Sequence, residues 1–215
     1  MSLYPCIADI IQPMEQAYHE GHRQLQEMFD SVRLADRLVE KSFQDELDDI
    51  DTAFIGRQHM FFLATADADG VPSCTYRGGD RGFVRVVDSR TLAWPEYNGN
   101  GMFLGLGNIL ANPKVHLLFI DFELQKRFRV AGTAKLCFED ALLEECLEAN
   151  LIVRVTVDKA FPNCKRYIPK MAVVEEARHI PRRGVRTPVA DWKRSDWVCD
   201  ALPADDPARD PSREE

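Results

Sequence analysis

The spacing of hydrophobic positions changes along the chain and divides it into three stretches. From about Pro13 to Arg57, Met14, Ala17, Tyr18, Leu25, Met28, Phe29, Val32, Ala35 and Val39 recur three or four residues apart. Glu20, Arg23, Glu27, Asp30, Arg33 and Arg37 fall on the other side, which is the pattern of an amphipathic helix. A second helix is expected over Phe43 to Gly56, with Phe43, Leu47, Ile50 and Phe54 as its stripe. Asp48-Asp49-Ile-Asp51 reads as its solvated face.

From about Met60 to Phe161 the period shortens to two. Met60 to Ala66 is apolar and is followed by the turn Asp67-Ala-Asp-Gly70, so Val71 to Tyr76 returns as the partner of a hairpin. Phe83 to Val87 and Leu92 to Trp94 flank Asp88-Ser89-Arg90 as two short strands. Val115 to Ile120 is almost wholly apolar, as in a strand buried on both faces. Phe128 to Leu136 alternates, with small residues on the inward side where a barrel tapers. Leu151 to Val157 alternates again. Helices are expected over Met102 to Ala111 and Asp140 to Ala149. Six or seven strands with short links favour a mainly β, antiparallel barrel with appended helices over a parallel βαβ sheet.

The third stretch is basic at Arg178, Arg182, Arg183 and Arg186, then carries Trp192 and Trp197. The tryptophans predict that Pro188 to Trp197 docks, because two indoles are costly to leave in water. The closing dozen residues read as disordered. The boundaries are thus 1–57 for a helical segment packed on the barrel, 58–179 for the barrel and 180–215 for a C-terminal extension.

Charge narrows the function. A net charge of -8 with a pI near 5.2 argues against nucleic acid or an anionic membrane, although one phosphate could still sit in a locally positive pocket. No run approaches the ~20 apolar residues of a membrane span, and the first residues lack a secretion signal. Cys6, Cys74, Cys137, Cys146, Cys164 and Cys199 contain no C-x-x-C pair, which suits free thiols in a reducing cytoplasm and gives no zinc signature.

The stretch with the most chemistry runs from Gly82 to Pro113. Asn98-Gly-Asn-Gly101 lies between a strand and a helix, where glycines let the backbone approach a ligand and free N–H groups favour an anion. Arg85, between Phe83 and Val87, calls for an anionic partner. On local chemistry alone the loop also fits an ordinary turn, and Arg85 an ordinary salt bridge. His19 and His22 share a helix face without further fixed ligands. His59 and His116 read as core or rim residues, and Cys164 beside Lys165 and Arg166 as a packed cysteine.

Several segments in order resemble the FMN-binding branch of the pyridoxamine 5'-phosphate oxidase-related family. They are Gly82-Phe-Val-Arg-Val, Trp94-Pro-Glu-Tyr, Gly99-Asn-Gly-Met, Gly107-Asn-Ile-Leu-Ala-Asn-Pro113, Leu117-Leu-Phe-Ile-Asp and Arg127-Phe-Arg-Val-Ala-Gly-Thr-Ala. Tyr18-His-Glu-Gly21, Leu34-Ala-Asp-Arg37, Phe161-Pro-Asn-Cys-Lys-Arg-Tyr167 and Asp191-Trp-Lys-Arg-Ser-Asp-Trp197 extend the likeness from about Tyr18 to Pro207.

The resemblance implies a six-stranded antiparallel split β-barrel that forms a homodimer with FMN at the subunit interface. By position, Cys74, Thr75 and Arg85 would line the flavin, and Trp94, Pro95, Glu96 and Tyr97 would pass along its ring and ribityl chain. Gly99, Asn100, Gly101 and Met102 would approach the phosphate or ribityl, with Asn108 as a buttress. Arg166, Trp192 and Arg194 would reach in from the partner.

The implied activity is an FMN-dependent oxidoreductase with no residue required as general acid or base. The same barrel also serves non-catalytic flavin- or haem-binding proteins and deazaflavin-dependent reductases. Asn100-Gly-Met-Phe103 stands where pyridoxamine phosphate oxidases carry a Ser-Arg-Lys run, and the chain closes on Glu214-Glu215 rather than a basic terminus. Both departures point away from vitamin B6 phosphate as substrate.

Overall fold

The computed structural model describes residues 17–213. The expected helix start at Pro13 and Met14, Cys6 and the closing Glu214-Glu215 lie outside the described residues. Three helices precede the sheet: α1 (Glu20–Met28), α2 (Val32–Ser42) and α3 (Asp49–Gly56). The first expected helix is therefore broken, at Asp30, whose φ of 50° is left-handed. No glycine or proline marks the break. Arg23 ties the two pieces by donating to Asp36 at 2.8 Å, and the Tyr18 hydroxyl donates to the Ala35 carbonyl at 3.1 Å.

The second expected helix is α3 alone, entered later than Phe43. Phe43 instead stacks on Phe161 with ring centroids 4.2 Å apart, while Gln44 forms a bridge with Ala160 of the barrel. The Asp48 run is a helix cap rather than a plain solvated face. Asp48 accepts from the Asp51 N–H at 2.8 Å, and the Asp51 carboxylate receives the Asp48 N–H at 3.2 Å. Asp48→Ala is expected to lower stability by about 1 kcal/mol, read as a shift in the urea midpoint with an unchanged slope.

Seven strands follow: β1 (Met60–Ala66), β2 (Pro72–Gly78), β3 (Arg85–Asp88), β4 (Thr91–Tyr97), β5 (Lys114–Asp121), β6 (Lys126–Cys137) and β7 (Ala149–Asn163). One helix, α4 (Leu104–Ala111), interrupts them. The sheet order is β2-β1-β5-β6-β7-β4-β3, and every pairing is antiparallel. This is a split barrel of seven strands in one open sheet. The core inside it joins Phe61, Leu63, Trp94, Leu117, Phe119, Val130 and Val153, all fully buried. α3 closes one end through Ile55, also fully buried.

β6 and β7 are the longest strands and carry a bulge at Ala131/Gly132. The expected helix over Asp140 to Ala149 is only a 3₁₀ turn, Ala141–Glu144. Its first residue explains why: the Asp140 carboxylate holds the Arg154 guanidinium at 2.6 and 3.0 Å and caps the Leu142 N–H, pinning this segment to β7. Among the described residues no helix is long and apolar enough to cross a membrane.

Residues 204–213 of the C-terminal extension include two 3₁₀ turns, Pro207–Arg209 and Pro211–Arg213, and Asp206 is buried. The tryptophans do not anchor it, since Trp197 is 76% exposed and stacks only on Trp192. The anchor is Lys193. Its ammonium is buried against the Asp206 carboxylate at 2.6 Å and also donates to the Asn98 side-chain carbonyl.

Candidate functional site

The split in the barrel is where the sheet leaves an edge free. β3 pairs with β4 only through Thr91 to Ala93, so Trp94 to Tyr97 have no strand on that side. β2, the other sheet edge, lies across the gap. Arg77 of β2 meets Glu96 of β4 there, with Nε 3.2 Å from Oε2 and both side chains mostly buried.

Period-two alternation puts Thr75 and Arg77 on one face of β2, and Trp94 and Glu96 on one face of β4. In this seam Thr75 Oγ1 is buried without a hydrogen-bond partner, while Arg77 Nε and Glu96 Oε2 face each other as the ion pair and Trp94 Nε1 lies against the Glu96 carboxylate. A buried hydroxyl is normally satisfied, so Thr75 beside a buried ion pair marks a site built for something besides packing. Burial raises the Glu96 pKa above the usual carboxylate value, with the Arg77 charge pulling the other way.

α4 packs over this seam against β1 and β2. Its first turn comes close because residue 105 is glycine: a Cβ there would lie 3.2 Å from Arg77 Nη2 and 3.5 Å from Thr75 Oγ1. Asn108 fastens the helix to β1 by donating to Thr65 Oγ1 at 3.1 Å. The helix is entered through a left-handed Phe103, φ 49°, following Gly101 at φ 76°. Asn100 shapes this loop by accepting from the Met102 N–H at 3.0 Å.

The loop residues meet the C-terminal extension around a cavity of about 260 Å³ that touches Tyr97, Gly99, Asn100, Trp192 and Lys193. Burial, with Cys146 and Asp80 adding, pushes the Tyr97 pKa up to about 12, so its hydroxyl stays a neutral donor.

The structure thus brings Thr75, Trp94 and Glu96 into the seam, and Tyr97, Gly99, Asn100 and Trp192 around the smaller cavity. Trp94 is part of the core, edge-on to Phe61 at 5.0 Å, and presents no face to solvent. Pro95 is buried beside it. Cys74 points outward, and Met102 is exposed. Arg85 does not lie on an apolar face: it is half exposed, 3.9 Å from Glu145. Arg166 is exposed and donates to Cys164 Sγ at 3.3 Å, and Arg194 donates to the Arg213 carbonyl.

Three residues that matter here went unmarked in the sequence: Arg77, Gly105 and Lys193. Arg77 had a readable signal, sitting two positions after Thr75 in a strand. Lys193 had none, because one lysine in an Asp-Trp-Lys-Arg run looks like surface.

A family model for pyridoxamine 5'-phosphate oxidase matches residues 47–180, more than half of the chain. The chain belongs to the pyridoxamine 5'-phosphate oxidase family. The match runs from the foot of α3 through every strand and so contains the seam. No curated protein matches the sequence.

Among solved structures, HupZ of Group A Streptococcus is 20% identical, covering 59% of this chain and 99% of its own, with a TM-score of 0.45. A protein of Lactobacillus delbrueckii provisionally named a pyridoxamine 5'-phosphate oxidase is 24% identical, covering 55% and 95%, at 0.46. HutZ, a haem storage protein of Vibrio cholerae, is 18% identical, covering 54% and 94%, at 0.40.

Proposed function

We propose that this member of the family binds FMN and acts as an oxidoreductase on a small organic substrate. What carries the reading is the buried Arg77–Glu96 pair and the unpartnered Thr75 hydroxyl under a helix N-terminus. Thr75 offers a hydroxyl, Arg77 a guanidinium and the first turn of α4 its free N–H groups, a donor set that suits a phosphate. Gly105 leaves room for it, where any side chain would crowd Arg77. FMN, when bound, supplies hydride transfer.

The chain's own residues bind and orient. Arg77 balances negative charge, and Glu96 can take up a proton, which its raised pKa makes easy, so that two anions need not share the seam. Tyr97 donates from a neutral hydroxyl, and Lys193 with Asp206 holds the loop from Asn98 in place. A homodimer with the flavin at the interface is part of this proposal. It is supported by Met102, Phe103, Leu104 and Leu110, an exposed apolar group at and around α4. Arg166, Trp192 and Arg194 are its candidate cross-subunit contributors. The free thiols of the described residues suit a cytoplasmic location.

The test is FMN titration followed by quenching of flavin fluorescence. Arg77→Met is expected to weaken binding at least tenfold, corresponding to about 1.4 kcal/mol, whereas Arg85→Met changes it little. Equal affinity of Arg77→Met and the parent chain would remove the seam as the phosphate site. Affinity is also expected to fall as pH rises through the Glu96 pKa, because the ionised carboxylate repels phosphate, and Glu96→Gln should flatten that dependence.

A further inference from the structure

A second cavity, about 800 Å³, lies beside the smaller one and shares Tyr97 and His179 with it. Its volume is in the range of small-molecule sites. Met60, Tyr76, Ile120, Phe122, Met171 and Ile180 give it apolar walls. Its acidic lining is Asp121, Glu123, Glu175 and Glu176. Asp121 is paired with Arg57 at 3.2 Å, while Glu123 and Glu175 are exposed to solvent.

Arg81 forms no ion pair among the described residues and, although exposed, is held in place. Its Nε–H donates to His59 Nε2 at 3.0 Å. A guanidinium can only donate, so Nε2 is the ring's lone-pair nitrogen and the proton sits on Nδ1. That Nδ1 is buried without a hydrogen-bond partner, 3.4 Å from Glu176 Oε2. The carboxylate favours this tautomer electrostatically, His59 fixes Arg81, and the remaining guanidinium N–H groups are left for a ligand.

We propose that this cavity binds a small organic anion with an apolar body, its carboxylate or phosphate held by Arg81 and its body by the methionine and aromatic walls. The site stands on the cavity and on the Arg81–His59–Glu176 chain alone, so it does not depend on the flavin reading. A free arginine fixed at one end of an apolar chamber selects for charge at one end of a ligand and against its neutral isostere.

The probes are naphthalene-2-carboxylate and naphthalene-2-carboxamide, titrated by calorimetry into the full-length protein. Methionine methyl NMR locates the binding, since Met60 and Met171 line the cavity and Met28 and Met102 do not. The carboxylate is expected to bind about tenfold tighter than the carboxamide and to shift the Met60 and Met171 methyls. Arg81→Met should abolish the preference while leaving carboxamide binding unchanged. Arg81 is exposed, so this variant keeps its fold, checked by its urea midpoint. Equal affinity for the two probes, a preference that survives in Arg81→Met, or shifts confined to Met28 and Met102 would overturn the proposal.

Discussion

Replacing Gly132 by alanine is expected to destabilise the protein by about 3 kcal/mol or more, the upper end of overpacking costs in a dense core. Gly132 sits at the β6–β7 bulge, in the middle of the sheet. A Cβ there would lie 2.3 Å from the Thr156 carbonyl oxygen and 2.5 Å from Val155 Cγ1. The first of these is backbone in a paired strand, so it cannot swing aside as a side-chain tip would. Val155 is fully buried and has little room either. Relief requires parting the two longest strands or rebuilding the bulge, where Asp158 is held by Lys114 at 2.8 Å. The check is urea unfolding followed by circular dichroism. A shift of less than about 1 kcal/mol would show that the bulge relaxes freely.

Lys193→Met is expected to release the C-terminal extension. The ammonium and the Asp206 carboxylate are 7% and 4% exposed, and truncating one partner leaves the other charged and buried. Such a break costs about 3–5 kcal/mol, more than an extension with few other buried residues can sustain. Undocking is therefore the expected response rather than global unfolding. Limited proteolysis after residue 190 and the fluorescence of Trp192 and Trp197 would report it.

Acid should do the same. Burial alone would raise the Asp206 pKa, but hydrogen bonds from Lys193, the Ala208 N–H and Asn98 together hold it below the ordinary aspartate value. A depressed carboxylate contributes its full stabilisation above the unfolded value and loses it as pH falls through the folded one. The extension should thus stay docked at neutral pH and loosen only below the ordinary aspartate range, and Asp206→Asn should remove that acid response. An extension that remains protease-resistant in Lys193→Met would show that the ion pair is not what holds it.

Elements with a strong local signal were legible. Met60–Ala66 is the strand its apolar run and following Asp-Gly turn predict, and the small residues of β6 do face inward, with Val130, Gly132 and Ala134 buried. What stayed hidden was decided by contacts distant in sequence. Leu142, Leu143, Cys146 and Leu147 have helical spacing, yet the Asp140–Arg154 pair holds the segment in a tight turn. The α1–α2 break depends on an aspartate in a left-handed conformation. Arg85 looked inward-facing because it lies between Phe83 and Val87, but Phe83 precedes β3 and Val87 is itself exposed. The seam was legible only in part: the resemblance named Thr75, Trp94 and Glu96, but not Arg77, which meets Glu96 only when β2 curls across the gap toward β4.

Whether this seam holds a flavin phosphate is tested most directly by the visible absorption spectrum after mixing with FMN and desalting. A two-band flavin spectrum is expected to co-elute with the protein and to be lost in folded Arg77→Met. A colourless protein, or an Arg77→Met variant that retains the flavin as fully as the parent, would contradict it.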